Sequence, residues 1–182
     1  QRVVDWYHYG GITRSVSIEK LSGVAVTYGK CEYALSNDLT SAEVSFTLEL
    51  FGADKSKETT LSIILGDKTV YSEKIATRKG SKKTVKTEKI EIGDIHLWDT
   101  ADPFLYDLVF STDTDDLIDR VGFRKIEVKN QKILLNGNEV ELRGVNRHED
   151  HPDFGMAFPS SLMKRDLDII ENMGCNTVRG SH

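Results

Sequence analysis

The sequence Leu-Arg-Gly-Val-Asn-Arg-His-Glu-Asp-His-Pro, residues 142–152, runs from a short apolar segment directly into a cluster of basic, acidic and imidazole side chains. After an amphipathic segment, Asn-Thr-Val-Arg-Gly-Ser-His at residues 176–182 repeats the pattern, because a second short strand ends in Arg179 and His182. A strand, a helix and a strand of this size predict a right-handed parallel βαβ unit. Ligands bind at the carboxyl ends of parallel strands, so both clusters are predicted to lie at a ligand site.

The intervening helix is predicted from the spacing of its apolar residues. These recur every three to five positions and form one face: Leu162, Met163, Leu167, Ile170 and Met173. Ser160 or Ser161 can cap the first turn, because a serine hydroxyl accepts a hydrogen bond from a free backbone N–H. Gly174 is placed to end the helix.

Upstream of this unit, the chain shows an all-β pattern from residue 16 to about residue 128. In residues 43–50 apolar side chains alternate with Glu, Ser and Thr, which is the two-residue period of a half-buried strand. Further strand-like segments lie at 16–18, 24–28, 61–65, 70–76, 84–92, 105–111 and 117–123. Short strands separated by polar turns predict an antiparallel β-sandwich of immunoglobulin type. The Cys-Trp-Cys framework of antibody domains is absent.

Two features lie at the end of the predicted sandwich. Trp98 stands in an aromatic loop and is predicted to pack over one end of the core, with carbohydrate stacking as the alternative. Asn136-Gly137 is a strong signal for a two-residue turn, because both residues tolerate positive φ. It predicts a hairpin between residues 133–135 and 140–142.

The bulk composition suits a globular protein, with 38% hydrophobic and 29% charged residues. No apolar run approaches the roughly 18–20 residues of a membrane span, and the first residues lack the apolar centre of a signal peptide. Cys31 and Cys175 have no CxxC partner and are predicted to be free thiols in a reducing compartment. A disulfide between them would require close Cα atoms. We therefore expect a cytoplasmic location of bacterial type and no membrane partner.

Lysines cluster at residues 79–89, although the net charge is −5. Neither aromatic residues nor arginines interleave with them, as a nucleic-acid surface would require. The cluster is predicted to be the solvated basic tip of a hairpin, and no nucleic-acid partner is expected.

Four segments, in order along the chain, resemble glycoside hydrolase family 2, which contains β-galactosidases, β-glucuronidases and β-mannosidases. They are Trp6-Tyr7-His8-Tyr9-Gly10-Gly11-Ile12-Thr13-Arg14, Leu97-Trp98 with Asp102-Pro103-Phe104-Leu105-Tyr106, Asn136-Gly137 through Leu142-Arg143-Gly144-Val145-Asn146-Arg147-His148-Glu149-Asp150, and Asn176-Thr177-Val178-Arg179-Gly180-Ser181-His182. The resemblance implies that residues 1–14 are the tail of a sugar-binding jelly-roll domain and that 15–128 form the immunoglobulin-like sandwich. Residues 129–182 would then be the truncated start of a (β/α)8 catalytic barrel.

The resemblance also implies a function and a set of site residues. The parent would be a retaining β-glycosidase without a cofactor, and its acid/base and nucleophilic glutamates would lie on later strands. His148 and His182 match positions that line the glycone subsite, and Arg179 matches an arginine that orients the nucleophilic carboxylate. Arg143 is a weaker substrate-binding candidate, with a structural ion pair as its alternative.

The acidic residues of this chain do not predict catalysis or a metal site by themselves. Retaining glycosidases need two carboxyl groups roughly 5–5.5 Å apart, and Glu149 with Asp150 or Asp153 is not assured of such a spacing. The sequence His148-Glu149-Asp150-His151 lacks the HExxH spacing, so a polar loop is favoured over a zinc site. We therefore expect this chain to be inactive alone.

Two open strands and one helix cannot close a barrel. Residues 142–182 are therefore expected to pack on the sandwich, to associate with another copy in a homo-oligomer, or to be poorly ordered. The rival hypothesis is a non-catalytic sandwich that binds carbohydrate or protein. It explains residues 15–128 equally well, but it leaves the strand–helix–strand unit unexplained.

Overall fold

The computed structural model describes residues 10–54 and 57–180. Two compact units are present: one is Glu19–Val140, and the other combines the chain up to Ile18 with the chain from Glu141 onward. The first aromatic residues of the family resemblance, Trp6, Tyr7 and Tyr9, lie outside the described residues, as does His182. No described helix is long and apolar enough to cross a membrane.

The unit Glu19–Val140 is built from strands in its described part. They are β1 (Val24–Leu35), β2 (Ser41–Gly52), β3 (Lys57–Leu65), β4 (Lys68–Thr77), β5 (Lys82–Lys86), β6 (Ile90–Gly93), β7 (Tyr106–Ser111), β8 (Asp116–Val121), β9 (Ile126–Lys129), β10 (Lys132–Leu135) and β11 (Asn138–Glu139). One sheet has the order β1-β2-β5, with β6 also on β2, and a second has the order β4-β3-β7-β8. A third, small sheet has the order β11-β10-β9. Every pairing between these strands is antiparallel.

The core lies between the two larger sheets, and β2 shows why. Val44, Phe46, Leu48 and Leu50 are at most 1% exposed, and the polar residues between them face outward. Phe46 meets Phe110 of β7 edge to face, with ring centroids 6.0 Å apart. Each such side chain contributes about 1.5–3 kcal/mol through burial. The alternation that predicted this strand is therefore the packing surface of the sandwich.

Gly29 of β1 is required by the same packing. A Cβ atom at this position would lie 2.3 Å from Cε2 of Phe110, and the Phe110 side chain is fully buried. The ring occupies the space that any side chain at position 29 would need.

The structure corrects two of the predicted β segments and one predicted hairpin tip. Residues 16–18 form no strand, and Val16 and Ile18 are 75% and 100% exposed. The predicted strand 84–92 is two strands, β5 and β6, because Thr87 interrupts the ladder: its Oγ1 accepts a hydrogen bond from the N–H of Phe46 at 3.0 Å. The lysine cluster at 79–89, predicted as the tip of a hairpin, instead spans the connection from β4 of one sheet to β5 of the other, β5 itself and the segment before β6.

The lysines near this connection lie on the surface. Among them, Lys89 pairs with Glu43 of β2 at 2.6 Å and Lys82 approaches Glu49 of β2 at 3.8 Å. These pairs match a solvated basic edge whose charges are partly balanced by the neighbouring strand.

The small sheet contains the predicted Asn-Gly turn. Asn136 and Gly137 have φ angles of 51° and 83°, and Leu135 pairs with Asn138 across them. The second strand of the hairpin lies earlier than predicted: β11 comprises Asn138–Glu139, and none of residues 140–142 belongs to it. Asn136 also anchors the turn, since its Nδ2 donates to the carbonyl oxygen of Trp98 at 3.0 Å.

Trp98 makes structural contacts that fit its predicted packing role. Its backbone N–H donates to the carbonyl of Phe123 at 2.8 Å, and the guanidinium carbon of Arg124 lies 5.0 Å from its ring centroid. The indole is half-buried.

The second unit contains β12 (Gly144–Arg147), α1 (Ser160–Asn172) and β13 (Thr177–Gly180). The strands are parallel, as predicted, with Gly144 opposite Thr177 and Arg147 opposite Gly180. The predicted serine cap is wrong: Pro159 is the N-cap and no side chain caps the helix. The helix ends at the predicted glycine, because Gly174, with φ of 80°, donates to Glu171 at 2.8 Å.

Candidate functional site

The parallel pair β12–β13 places two polar side chains side by side. Asn146 and Arg179 are register partners, and so are Val145 and Val178. Successive residues of a strand point to opposite faces, so Asn146 and Arg179 share one face while Val145 and Arg147 share the other. Because Arg147 pairs with Asp166 of α1, the Asn146–Arg179 face is the one that points away from the helix.

Gly144 allows the two strands to meet. A Cβ atom here would lie 2.0 Å from the carbonyl oxygen of Thr177. Asn176 fixes the same end, since its Oδ1 accepts from the N–H of Arg143 and its Nδ2 donates to the carbonyl of Glu141, both at 2.9 Å. The start of β12 is thus held by an asparagine side chain as well as by the strand ladder.

The structure brings together two of the four residues predicted from sequence. Arg179 lies on β13 near its carboxyl end, and His148 follows the last residue of β12, so both stand at the same edge of the sheet. Arg143 precedes β12 at the opposite end, roughly 13 Å from Arg147 for an extended chain. His182 lies outside the described residues.

Arg147 is a residue of this region that the sequence did not single out. Its side chain is only 10% exposed. Its Nε donates to Oδ2 of Asp166 at 3.1 Å, and its guanidinium carbon lies 4.7 Å from the ring centroid of Phe158. Nη2 is also 3.1 Å from Oδ2 of Asp166, but it makes no hydrogen bond to a described residue. This arginine joins β12, α1 and the segment before the helix.

The segment 148–158 between β12 and α1, here called the histidine loop, has a defined turn at its centre. The N–H of Gly155 donates to the carbonyl of His151 at 2.8 Å. The N–H of Asp153 donates to Nδ1 of His151 at 3.1 Å. The ring of His151 packs near Phe154 and Phe158, at centroid distances of 5.2 and 6.0 Å. His151 is therefore a structural residue of the loop.

Glu149 lies between two arginines. Its Oε2 accepts a hydrogen bond from Nη2 of Arg14, and its Oε1 is 3.7 Å from Nη1 of Arg147. Arg14 also donates from Nη1 to the carbonyl of Met156 at 2.8 Å. Both carboxylate oxygens of Glu149 therefore face guanidinium groups, which is the arrangement of a structural anion.

A cavity of about 620 Å³ lies beside these contacts. It is lined by the segment Ile12–Ser15, by Glu149, by residues 157–159 before α1, and by Ser160 and Met163 of α1. Among the described residues, no group of three or more His, Cys, Asp or Glu side chains is arranged to hold a metal ion. Arg179 and His148, whose side chains can donate hydrogen bonds to hydroxyl and carboxylate oxygens, stand at the carboxyl edge of β12 and β13.

Comparison with protein families assigns both parts of the chain. Residues 25–124 match the family "Glycosyl hydrolases family 2", and residues 126–182 match "Glycosyl hydrolases family 2, TIM barrel domain". The chain belongs to glycosyl hydrolase family 2. The expected fold class is confirmed: an antiparallel sandwich followed by the first elements of a (β/α) barrel.

Curated relatives of the chain are glycosidases. It is 31% identical over 178 residues to a β-galactosidase of Staphylococcus xylosus, covering 98% of this chain and 17% of the relative. It is 34% identical over 191 residues to a putative β-glucuronidase of Formosa agariphila, covering 98% of this chain and 22% of the relative. The chain thus spans about a fifth of the length of these relatives.

A solved structure is similar over nearly the whole chain. A family 2 β-galacturonidase from Eisenbergiella tayi, bound to galacturonate, superposes with a TM-score of 0.86 at 31% identity. The match covers 98% of this chain and 32% of that structure. The path of β12, α1 and β13 described above therefore belongs to a known glycosidase architecture.

Proposed function

We propose that the protein carrying this chain is a retaining β-glycosidase that hydrolyses terminal β-glycosidic bonds. The observation that carries the proposal is the common edge of β12 and β13, where Arg179 and His148 stand at the carboxyl ends of two parallel strands. That edge is the ligand-binding side of a (β/α) barrel. Membership in glycosyl hydrolase family 2 supports the same reaction.

Within that enzyme, we assign residues 1–14 to the end of a sugar-binding domain, 15–128 to the sandwich and 129–182 to the start of the catalytic barrel. His148 and His182 would bind hydroxyl groups of the glycone, and Arg179 would orient the nucleophilic carboxylate. Arg179 is suited to this role because a guanidinium favours the ionised form of a nearby carboxylate. Arg143 precedes β12 at the end opposite His148 and stays the weaker substrate-binding candidate, with a structural ion pair as its alternative.

The two catalytic carboxyl groups are proposed to lie outside this chain. Glu149, the strongest acidic candidate, is held between Arg14 and Arg147 and therefore suits a structural role. The proposal includes no cofactor, nucleic acid or membrane partner. A cytoplasmic location is supported by the free thiols of Cys31 and Cys175, and self-association by exposed apolar side chains on α1 such as Leu167 and Ile169.

The proposed substrate is a β-galactoside or a β-hexuronide. A galactoside is supported by the curated β-galactosidase relatives, and a hexuronide by the structural similarity to the β-galacturonidase. A hexuronide carries a carboxylate at C5, where a galactoside carries a hydroxymethyl group. A guanidinium can bind such a carboxylate through charge-assisted hydrogen bonds, and Arg179 is the arginine that shares the face of β12 and β13 pointing away from α1.

The test uses the protein as its gene encodes it and a panel of nitrophenyl β-glycosides: galactoside, galacturonide, glucuronide and mannoside. Hydrolysis of one glycoside, with the β-anomer as the first product seen by NMR, is expected. A folded protein that cleaves none of them, or that first releases the α-anomer, would contradict the proposal. The 182-residue chain assayed alone is expected to be inactive.

A further inference from the structure

Arg14 touches both ends of the histidine loop from a distant part of the sequence. Nη2 donates to Oε2 of Glu149, the second residue of the loop, and Nη1 donates to the carbonyl of Met156 near its end, at 2.8 Å. These partners are 135 and 142 residues away from Arg14 along the chain. One guanidinium therefore bridges the start and the end of the loop.

We propose that Arg14 is a positioning residue, which holds the histidine loop at the carboxyl end of β12 and thereby fixes His148 for the substrate. The inference rests on the proposed function, because His148 has a role only if a glycoside binds at this edge. It gives a part in that function to the segment around Arg14, which contains none of the proposed substrate-binding residues.

The link from Arg14 to His148 is short. His148 precedes Glu149, and Glu149 is fixed from one side by Arg14 and approached from the other by Arg147 at 3.7 Å. Arg147 is itself held on α1 through Asp166. The backbone at His148 thus lies between a strand end and an anchored side chain. A displacement of about 1 Å at a substrate-binding group can lower the rate about 100-fold.

The solvent exposure of Arg14 and Glu149 indicates that their ion pair positions the loop and contributes little to the stability of the fold. The Arg14 side chain is 62% exposed and that of Glu149 is 31% exposed. An ion pair with so much access to solvent contributes little to overall stability. We therefore expect substitution of Arg14 to affect the loop and the reaction much more than the melting temperature.

The geometry requires arginine in particular. Two different nitrogens of one planar group reach Glu149 and the carbonyl of Met156. The single ammonium of lysine is a compact point charge and does not reproduce a fork. Arg14→Lys is expected to retain the attraction to Glu149 while weakening the bridge, and so to fall between the wild type and Arg14→Gln.

The experiment compares Arg14→Gln, Arg14→Lys and a control, Lys164→Gln, in the protein as its gene encodes it. Lys164 is also a solvent-exposed cation of this unit, and it pairs with Asp168 at 2.8 Å on α1 rather than with the loop. Hydrogen exchange of the peptide covering 148–158 is measured first. Arg14→Gln is expected to accelerate it about threefold to tenfold, as for the loss of one hydrogen bond, and the control to leave it unchanged.

Kinetics on the glycoside found active then test the link to His148. Arg14→Gln is expected to lower kcat/KM about tenfold to 100-fold, Arg14→Lys less, and Lys164→Gln not at all. If Arg14 acts through His148, the double variant Arg14→Gln/His148→Ala should be no slower than His148→Ala alone. Additive losses would instead indicate an independent effect, and would overturn the proposal.

The remaining outcomes are separable. Unchanged exchange in residues 148–158 of Arg14→Gln would refute the bridge, whatever the activity. Faster exchange with unchanged kcat/KM would refute the effect on His148 and leave the proposed function intact. Failure of the unaltered protein to hydrolyse any glycoside would refute the proposed function, and the role of Arg14 in the reaction with it.

Discussion

Replacing Asp166 by alanine removes the carboxylate that lies 3.1 Å from the nearly buried guanidinium of Arg147. The positive charge would then remain between β12 and α1, with Glu149 at 3.7 Å and the ring of Phe158 as its neighbours. Neither neighbour replaces the lost hydrogen bond. We expect Asp166→Ala to destabilise the strand–helix–strand unit.

The magnitude follows from the exposure of the two side chains. Breaking a buried ion pair costs about 3–5 kcal/mol, whereas a fully exposed pair contributes about 0–1 kcal/mol. Arg147 is 10% exposed, but Asp166 is 39% exposed, so the cost is expected between these limits, at about 2 kcal/mol. Such a loss corresponds to roughly 30-fold faster hydrogen exchange of the α1 amides that exchange through local opening of this unit.

Native-state hydrogen exchange of the α1 amides is the suitable assay, because it reports local opening within a protein of several domains. The control is Asp168→Ala on the same helix, where the pair with Lys164 has side chains 52% and 76% exposed. This control is expected to change the opening free energy by less than about 0.5 kcal/mol. Equal effects of the two alanine variants would refute the reasoning.

A double variant distinguishes the cost of an unpaired charge from the cost of lost packing. In Arg147→Met/Asp166→Ala neither charge remains, and the aliphatic length of the arginine is approximately kept. Replacing a buried ion pair by apolar groups is often neutral, so this double variant is expected to be more stable than Asp166→Ala alone. If it were less stable, the penalty would arise from packing and not from an unpaired charge.

Two further predictions concern the sandwich. Burial, followed by the carboxylates of Glu32 and Asp119, raises the pKa of Cys31 to about 11. At pH 8 only about one thiol in a thousand is ionised, and alkylation followed by mass spectrometry should accelerate about tenfold per pH unit up to pH 10. A rate that levels off below pH 9 would contradict this. Gly29→Ala places a methyl group against the Phe110 ring and should lower the free energy of unfolding by about 1–3 kcal/mol. Gly93→Ala, with no atom within 4 Å of its Cβ position, is the control in the same denaturation experiment.

The sequence predicted those features of the fold that depend on local periodicity. The alternation in residues 43–50 identified the central strand β2, and Asn136-Gly137 identified a two-residue turn, because each of these signals arises within a few residues. The boundary errors have non-local causes. The segment 84–92 is divided into β5 and β6 at Thr87, where the N–H of Phe46, from across the sheet, donates to the Thr87 side chain. Residues 16–18 are β-branched or polar in alternation, but within 10–54 and 57–180 no strand pairs with them to complete a ladder.

The candidate site shows the same division between local and non-local information. The residue types at the ends of β12 and β13 are visible in the sequence, and their parallel pairing follows from the helix between them. The pairing of charges is not visible, because it depends on the path of the histidine loop. In sequence, Glu149 is one member of an acidic cluster that could supply a catalytic carboxyl. In the structure both of its oxygens face arginines, one of which is 135 residues away in the chain. The role of this glutamate is therefore set by Arg14 and Arg147, and a search for acidic pairs by spacing alone has no means of distinguishing a structural anion from a catalytic one.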